Sequence, residues 1–193
     1  MIRRSLARDE RGATIIEFAL VAPVLITLLM GLFDTGYNLY AASVLQGAIQ
    51  KAARDSTIEG ATPASLDAKV TLAVRRVVPN AALVFERENY SSFSDIGTPE
   101  DFTDLNGDGV CDNGEPYEDA NGNNSWDTDR GRAGQGGARD AVLYTVKVTY
   151  PHAFPVGMLI GLSRDENLQS STVLRNQPYS DQVVPPAVTR NCT

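Results

Sequence analysis

Residues 104–115 read Asp-Leu-Asn-Gly-Asp-Gly-Val-Cys-Asp-Asn-Gly-Glu. Asp104, Asn106 and Asp108 fall at the first, third and fifth positions of a twelve-residue loop. The Val110 carbonyl is seventh, Asp112 ninth, and Glu115 twelfth, where a bidentate carboxylate closes such a loop. Gly109 stands where the chain must turn sharply. A hard cation that takes about six to eight oxygen ligands suits this set, whereas nitrogen- and sulfur-seeking metals do not. The spacing therefore predicts a calcium loop. Fifteen residues on, Asp119, Asn121, Asn123, Ser125 and Asp127 repeat the pattern. There Asn124 replaces the turn glycine and Arg130 stands where the closing carboxylate belongs, with Asp129 or Glu118 as substitutes. Trp126 and Cys111 share one repeat phase, which suggests that they pack together over paired loops. The competing reading is a polar, disordered insertion whose acids only keep it soluble.

Little else in the chain can do chemistry. There is one histidine, His152, beside Pro151 and just past a strand pattern, which disfavours histidine-based catalysis and most zinc sites. The Gly-rich stretch 131–139, GRAGQGGAR, lacks the ending of a phosphate-binding loop and reads as a connector. No enzyme is expected. The net charge of −7 is local: residues 99–130 hold ten acids against Arg130 alone, so the remainder is slightly positive. With aromatics at 7% and no basic stacking platform, nucleic-acid binding is not expected.

The loops must be carried by something, and the N-terminus supplies an anchor. Residues 13–33, ATIIEFALVAPVLITLLMGLF, are apolar apart from Glu17 and the threonines. As a helix they reach about 31 Å, enough to cross a hydrocarbon core. Arg3, Arg4, Arg8 and Arg11 precede the run and Asp34 follows it, which predicts a cytoplasmic N-terminus. A removable secretory signal shares this start and could be cut near Ala41-Ala42-Ser43. Against it, Glu17 sits inside the run. Moreover, Tyr37, Ala41, Val44, Leu45, Ala48 and Ala52 continue an apolar helical face, opposite Asn38, Ser43, Gln46, Gln50 and Arg54. One helix from about Thr14 to Ile58 is expected, stopped near Gly60.

Gly12 followed by Ala13-Thr14-Ile15-Ile16-Glu17-Phe18 resembles a type IV prepilin processing site, because a cut after Gly12 makes Glu17 the fifth mature residue. The fuller string RGATIIEFALVAP is similar to the start of TadE-like proteins of the Tad (Flp) pilus machinery, and residues 170–179, SSTVLRNQPY, are similar to their C-terminal strand. The resemblance implies a minor pilin, pseudopilin or assembly factor in the bacterial inner membrane. It would be cut by a prepilin peptidase between Gly12 and Ala13, associate with other pilin subunits and the Tad assembly platform, and enter a surface pilus after processing. It also implies that Glu17 pairs with the N-terminal amine of a neighbouring subunit. The alternative is a passive Glu17 at headgroup level. A second functional reading is a bitopic calcium-dependent surface adhesin or binding module that never enters a filament.

The expected fold is α+β: a leader at 1–12, a transmembrane, pilin-like helix at 13–60, and a domain at 61–193 on the far side of the membrane, with the acidic insertion at about 99–135. Thr62-Pro63 should cap a second helix with Leu66, Val70, Ala73, Val74 and Val77 on one face, ending at Pro79. Strands are expected at 83–90, 141–150 and 168–175, forming an antiparallel sheet of three to four strands packed on the long helix. Residues 154–162 read as a short apolar turn, and the tail VVPPAVTRNCT as extended or loose. Beyond the membrane Cys111 and Cys192 would meet an oxidising compartment and could form a disulfide. Alternatively, Cys111 is a small apolar residue of the loop.

Overall fold

The computed structural model describes residues 11–58, 60–161, 163–176 and 186–193. Most of the expected leader and the end of the 170–179 motif lie outside them. Helix α1 runs from Arg11 to Asp55, 45 residues without a break. The one internal proline, Pro23, still has its carbonyl engaged, by the Thr27 hydroxyl at 2.8 Å. The helix ends a few residues earlier than its periodicity suggests. After Ser56 the chain tightens into three-residue hydrogen bonds, Thr57 N–H to the Arg54 carbonyl and Ile58 N–H to that of Asp55, before Gly60 turns at φ +81°.

Two halves of α1 meet different surroundings. From Thr14 to Phe33 apolar side chains point outward on every side, with Phe18, Leu20, Leu28 and Leu32 all about 70% exposed. From Asp34 onward one face is covered: Ala41, Leu45, Ile49 and Ala52 are buried and Tyr37 and Ala48 pack beside them. Ile49 belongs to this stripe although the sequence pattern did not single it out. A water-soluble helix keeps its apolar residues to one side, so the first half is a surface built for an apolar solvent or partner.

Helix α2, Pro63–Arg75, starts with Thr62, whose side chain accepts the Ser65 N–H while the Ser65 hydroxyl accepts the Thr62 N–H. It buries Leu66, Val70 and Val74. Strands β1 (Ala82–Tyr90), β2 (Pro116–Asp119), β3 (Arg132–Ala133), β4 (Ala141–Pro151), β5 (Asp165–Arg175) and β6 (Val188–Asn191) make two antiparallel sheets. The larger has the order β3-β1-β4-β5, with Phe85 opposite Val146 and Val146 opposite Ser170. Strand β4 is its centre. There Val142, Tyr144, Val146, Val148 and Tyr150 alternate inward and are at most 1% exposed, facing the second half of α1 and α2. A polar clasp ties α2 to this sheet. The Arg87 guanidinium pairs with Asp67 at 2.5 Å and lies 4.5 Å above the Tyr144 ring, and the Tyr144 hydroxyl donates to Asp67 at 2.7 Å.

Two short strands, β6 in the smaller sheet and β3 in the larger, decide the readings of an extended or loose tail and of a glycine-rich connector. The tail is not loose at its end, because Val188–Asn191 forms β6 and pairs with β2 in the middle of the acidic insertion. The glycine-rich connector also contains β3, which adds a fourth strand beside Glu88 and Asn89 of β1. Neither strand has an apolar period of its own to reveal it.

Candidate metal site

The two acidic loops are ordered by their own backbone. In the first, the Asp104 carboxylate accepts the N–H of Gly107 at 2.5 Å and of Gly109 at 2.9 Å. Asn106 accepts the Asp108 N–H and Asp108 the Val110 N–H. In the second, Asp119 accepts the N–H groups of Gly122, Asn123 and Asn124. Asn121 accepts that of Asn123, and Asn123 that of Ser125. Gly109 turns at φ +77° and Asn124, in the same repeat position, at φ +69°. Asparagine tolerates the left-handed conformation, so its substitution for glycine leaves the turn intact.

Glu115 is 1% exposed and sits behind the first loop. Its Oε1 accepts the N–H of Leu105 at 2.7 Å and of Asn106 at 3.3 Å, and its Oε2 that of Asp112 at 3.3 Å. The second loop has an acid in the same relation. Glu100, also 1% exposed, accepts the N–H of Ala120 at 2.7 Å and of Asn121 at 3.2 Å on Oε1, and of Asp127 at 3.2 Å on Oε2. These are the second, third and ninth positions of each loop. The acid that stands to the second loop as Glu115 stands to the first is thus Glu100, nineteen residues before Asp119, and not Asp129 or Glu118. Asp129 instead accepts the Tyr90 hydroxyl at 3.0 Å and the Gly131 N–H, and Glu118 is exposed. Arg130 turns away to the Pro99 carbonyl and Asp101. The signal was in the sequence: Glu100 precedes Glu115 by the same fifteen residues that separate the loops.

The lead-in segments obey the same offset. The Thr103 N–H donates to the Pro116 carbonyl and the Glu118 N–H to the Asp101 carbonyl, both at 2.8 Å, with Phe102 bridged to Tyr117 between them. Shifting by fifteen residues turns one bond into the other, which is the signature of a local two-fold. The loops depart from that symmetry where other elements touch them. Cys111 is bonded to Cys192, whereas Trp126, its repeat mate, packs edge-on against Phe102 at 5.5 Å and donates its indole N–H to the Glu100 carbonyl. The expected Cys111–Trp126 pair is replaced by these two separate anchors. The Cys192 N–H donates to the Glu115 carbonyl and its own carbonyl accepts the Gly114 N–H. Arg190 reaches Asp119 at 2.5 Å, so the second loop already faces an internal cation.

These contacts set the acidity of the leading residues. The Gly109 and Gly107 N–H groups hold the Asp104 carboxyl below the usual range. Burial raises that of Asp119, but Arg190 and the Gly122 and Asn124 N–H groups outweigh it and the net shift is downward. Among the described residues no three His, Cys, Asp or Glu side chains converge as a metal-binding group. By chemical type the donors nevertheless fit a hard cation. Each loop offers carboxylates, amide oxygens and one carbonyl or hydroxyl from alternate positions, backed by a buried glutamate.

At the other end of the molecule, the backbone of Gly12 and Ala13 belongs to α1, and Glu17 is exposed among Ile15, Ile16 and Phe18. α1 is long and apolar enough to cross a membrane. The protein is thus an α+β domain with paired acidic loops, carried on one apolar helix. Residues 12–54 match the family model described as TadE-like protein, which covers nearly all of α1 and leaves residues 55–193 outside the match. No curated protein and no solved structure matches the chain.

Proposed function

We propose that the chain is a membrane-anchored, pilin-like subunit or assembly factor of a Tad-type pilus, with a structural role and no catalysis of its own. The observation that carries this reading is the TadE-like match over the helix whose first half exposes apolar residues all round. In this reading the helix spans the inner membrane with its N-terminus in the cytoplasm. A prepilin peptidase cuts between Gly12 and Ala13, and Glu17 then pairs with a neighbour's new amine. Burying an unpaired charge in hydrocarbon costs several kcal/mol, so such a pair favours one axial register over others. N-terminal sequencing of the protein from its native host tests the cut. A start at Ala13 is expected, whereas a start near Val44 would show a secretory signal and overturn the reading.

The paired loops are read as calcium sites. The first would use Asp104, Asn106, Asp108, the Val110 carbonyl, Asp112 and Glu115. The second would use Asp119, Asn121, Asn123, Ser125 and Asp127, completed by Glu100. The ion would offset the mutual repulsion of carboxylates that have little apolar surface around them. A second reading, a bitopic calcium-dependent adhesin that stays out of filaments, rests on the paired acidic loops, which lie wholly outside the matched residues 12–54. Recovery of the chain in sheared surface fibres supports the pilus subunit; recovery only in membranes supports an assembly factor or the adhesin.

A further inference from the structure

The connection between β4 and β5 lies against α1 at the end of its apolar run. After Pro151 the chain leaves the ladder, and residues 155–160 form a short 3₁₀ turn closed by Gly161 at φ +81°. Phe154 meets Phe33 at 6.4 Å between ring centres, and a Cβ placed on Gly31 would lie 4.0 Å from Val156 Cγ2. Gly31 is one helical turn inside the apolar segment, about 4.5 Å before Asp34 along the axis. Phe154 and Met158 are 40% and 52% exposed there, near the still more exposed Phe33 and Leu32 of the helix at 63% and 68%.

A polar band sits just above this turn. His152 Nδ1 is 2.6 Å from Asp34 Oδ2, its Nε2 is 3.5 Å from Glu166, and the Phe154 N–H donates to Asp34 Oδ1 at 3.1 Å. Asp34 is 9% exposed, so its carboxylate holds the connection to the helix. The His152 N–H donates to the Arg164 carbonyl, and that last rung fixes where the turn begins and ends. Charged groups on one side and an apolar turn on the other, both packed on a helix whose own polarity changes at the same level, make one continuous boundary.

We propose that residues 153–161 are a second membrane contact, seated in the bilayer interface beside the point where α1 emerges. This rests on the reading that α1 spans the membrane. The occupant is lipid because the turn continues the exposed apolar surface of the spanning segment at the same height. Interfacial amphipathic helices bury their apolar face about 5–10 Å into the headgroup and acyl boundary, and a turn at this height would meet the same zone. The contact would stop the domain from swinging on its helix.

The test uses the full chain in phosphatidylethanolamine–phosphatidylglycerol vesicles, with single cysteines spin-labelled at Met158→Cys, Leu25→Cys and Leu72→Cys. Collisions with oxygen report lipid and collisions with a soluble nickel chelate report water. Met158→Cys is expected to resemble Leu25→Cys, with oxygen dominating, while Leu72→Cys on α2 shows the reverse. If Met158→Cys behaves like Leu72→Cys while Leu25→Cys stays in lipid, the second contact is wrong and the anchor stands. If Leu25→Cys is itself in water, the anchor fails and the contact with it. Protection of Met158→Cys from both reagents would mean that protein covers the turn, which overturns the lipid assignment.

Discussion

Glu100 and Glu115 are related by the local two-fold of the acidic insertion, and each stands behind the loop that the other's repeat begins. Glu115 opens the second fifteen-residue unit yet accepts the N–H groups of Leu105, Asn106 and Asp112 in the first. Glu100 opens the first unit yet accepts those of Ala120, Asn121 and Asp127 in the second. The exchange makes the two loops one cooperative body, because neither keeps its backbone satisfied without the other's leading residue.

Replacing either glutamate should therefore destabilise the insertion. Glu100→Gln or Glu115→Gln keeps the size but weakens hydrogen bonds to a charged acceptor, a loss of about 2 kcal/mol and about 5–8 °C in the melting temperature. Thermal denaturation of the purified chain measures the loss. Fluorescence of Trp126, which is bonded to the Glu100 backbone, should respond more to Glu100→Gln than to Glu115→Gln.

Calcium should raise the melting temperature of the wild-type domain as its concentration passes the dissociation constant, expected at about 10⁻⁴–10⁻³ M for an extracellular module. Magnesium should do so poorly, since it demands six-fold geometry and keeps its waters. Asp104→Ala with Asp108→Ala should remove the first site, and Glu100→Gln should weaken the second more than the first. No heat on calorimetric titration and no thermal shift at millimolar calcium would mean that the loops are held by their backbone bonds alone.

The Cys111–Cys192 bond joins positions 81 residues apart in sequence. A closed loop of that length restricts the unfolded chain by about 4–5 kcal/mol on the entropy model. Cys192→Ser is expected to lower stability and to release β6 from β2, seen as new protease cleavage after Arg190. An unchanged C-terminal digestion pattern would show that the β2–β6 ladder and the Arg190–Asp119 pair suffice.

Acid and alkali should loosen different parts. Asp104 and Asp119 titrate below the ordinary carboxylate value in the folded chain, so the unfolded chain binds protons first. Their contribution is complete above about pH 4 and falls away as the pH drops toward their folded values. Tyr150 is pushed up to about 12, first by burial and then by the nearby Glu166, Tyr37 and Asp34. Its contribution is complete below about pH 10 and is lost as the pH rises to about 12. Circular dichroism across pH should show the loops changing at the acid end and the α1–sheet packing at the alkaline end.

Glu17→Gln should leave membrane insertion intact, because it removes a charge from the apolar segment, while impairing incorporation into fibres. Membrane fractionation and sheared-fibre blots separate the two effects. Normal incorporation would mean that Glu17 lies passively at the headgroups.

The features legible in the sequence were those with short-range signatures. The apolar run and the 3.6-residue stripe through Ala41, Leu45 and Ala52 announced α1, the capping pair Thr62-Pro63 announced α2, and strict alternation announced β4. The twelve-residue spacing announced the loops. Tertiary structure alone decided what depends on chain segments far apart. The tail residues Val188–Asn191 carry no strand period, because a four-residue edge strand is ordered by the partner it finds and not by its own burial. Arg190 reaches Asp119 only through that pairing. Glu100 could serve the second loop because Phe102 and Tyr117 bridge the two lead-in segments, and a local pattern read forward along the chain seeks the closing carboxylate after a loop and not before it. His152 likewise looked idle in sequence, and only the packing of the end of β4 on α1, through Tyr150 against Tyr37 and Asn38, brings it to Asp34, where the helix leaves its apolar segment.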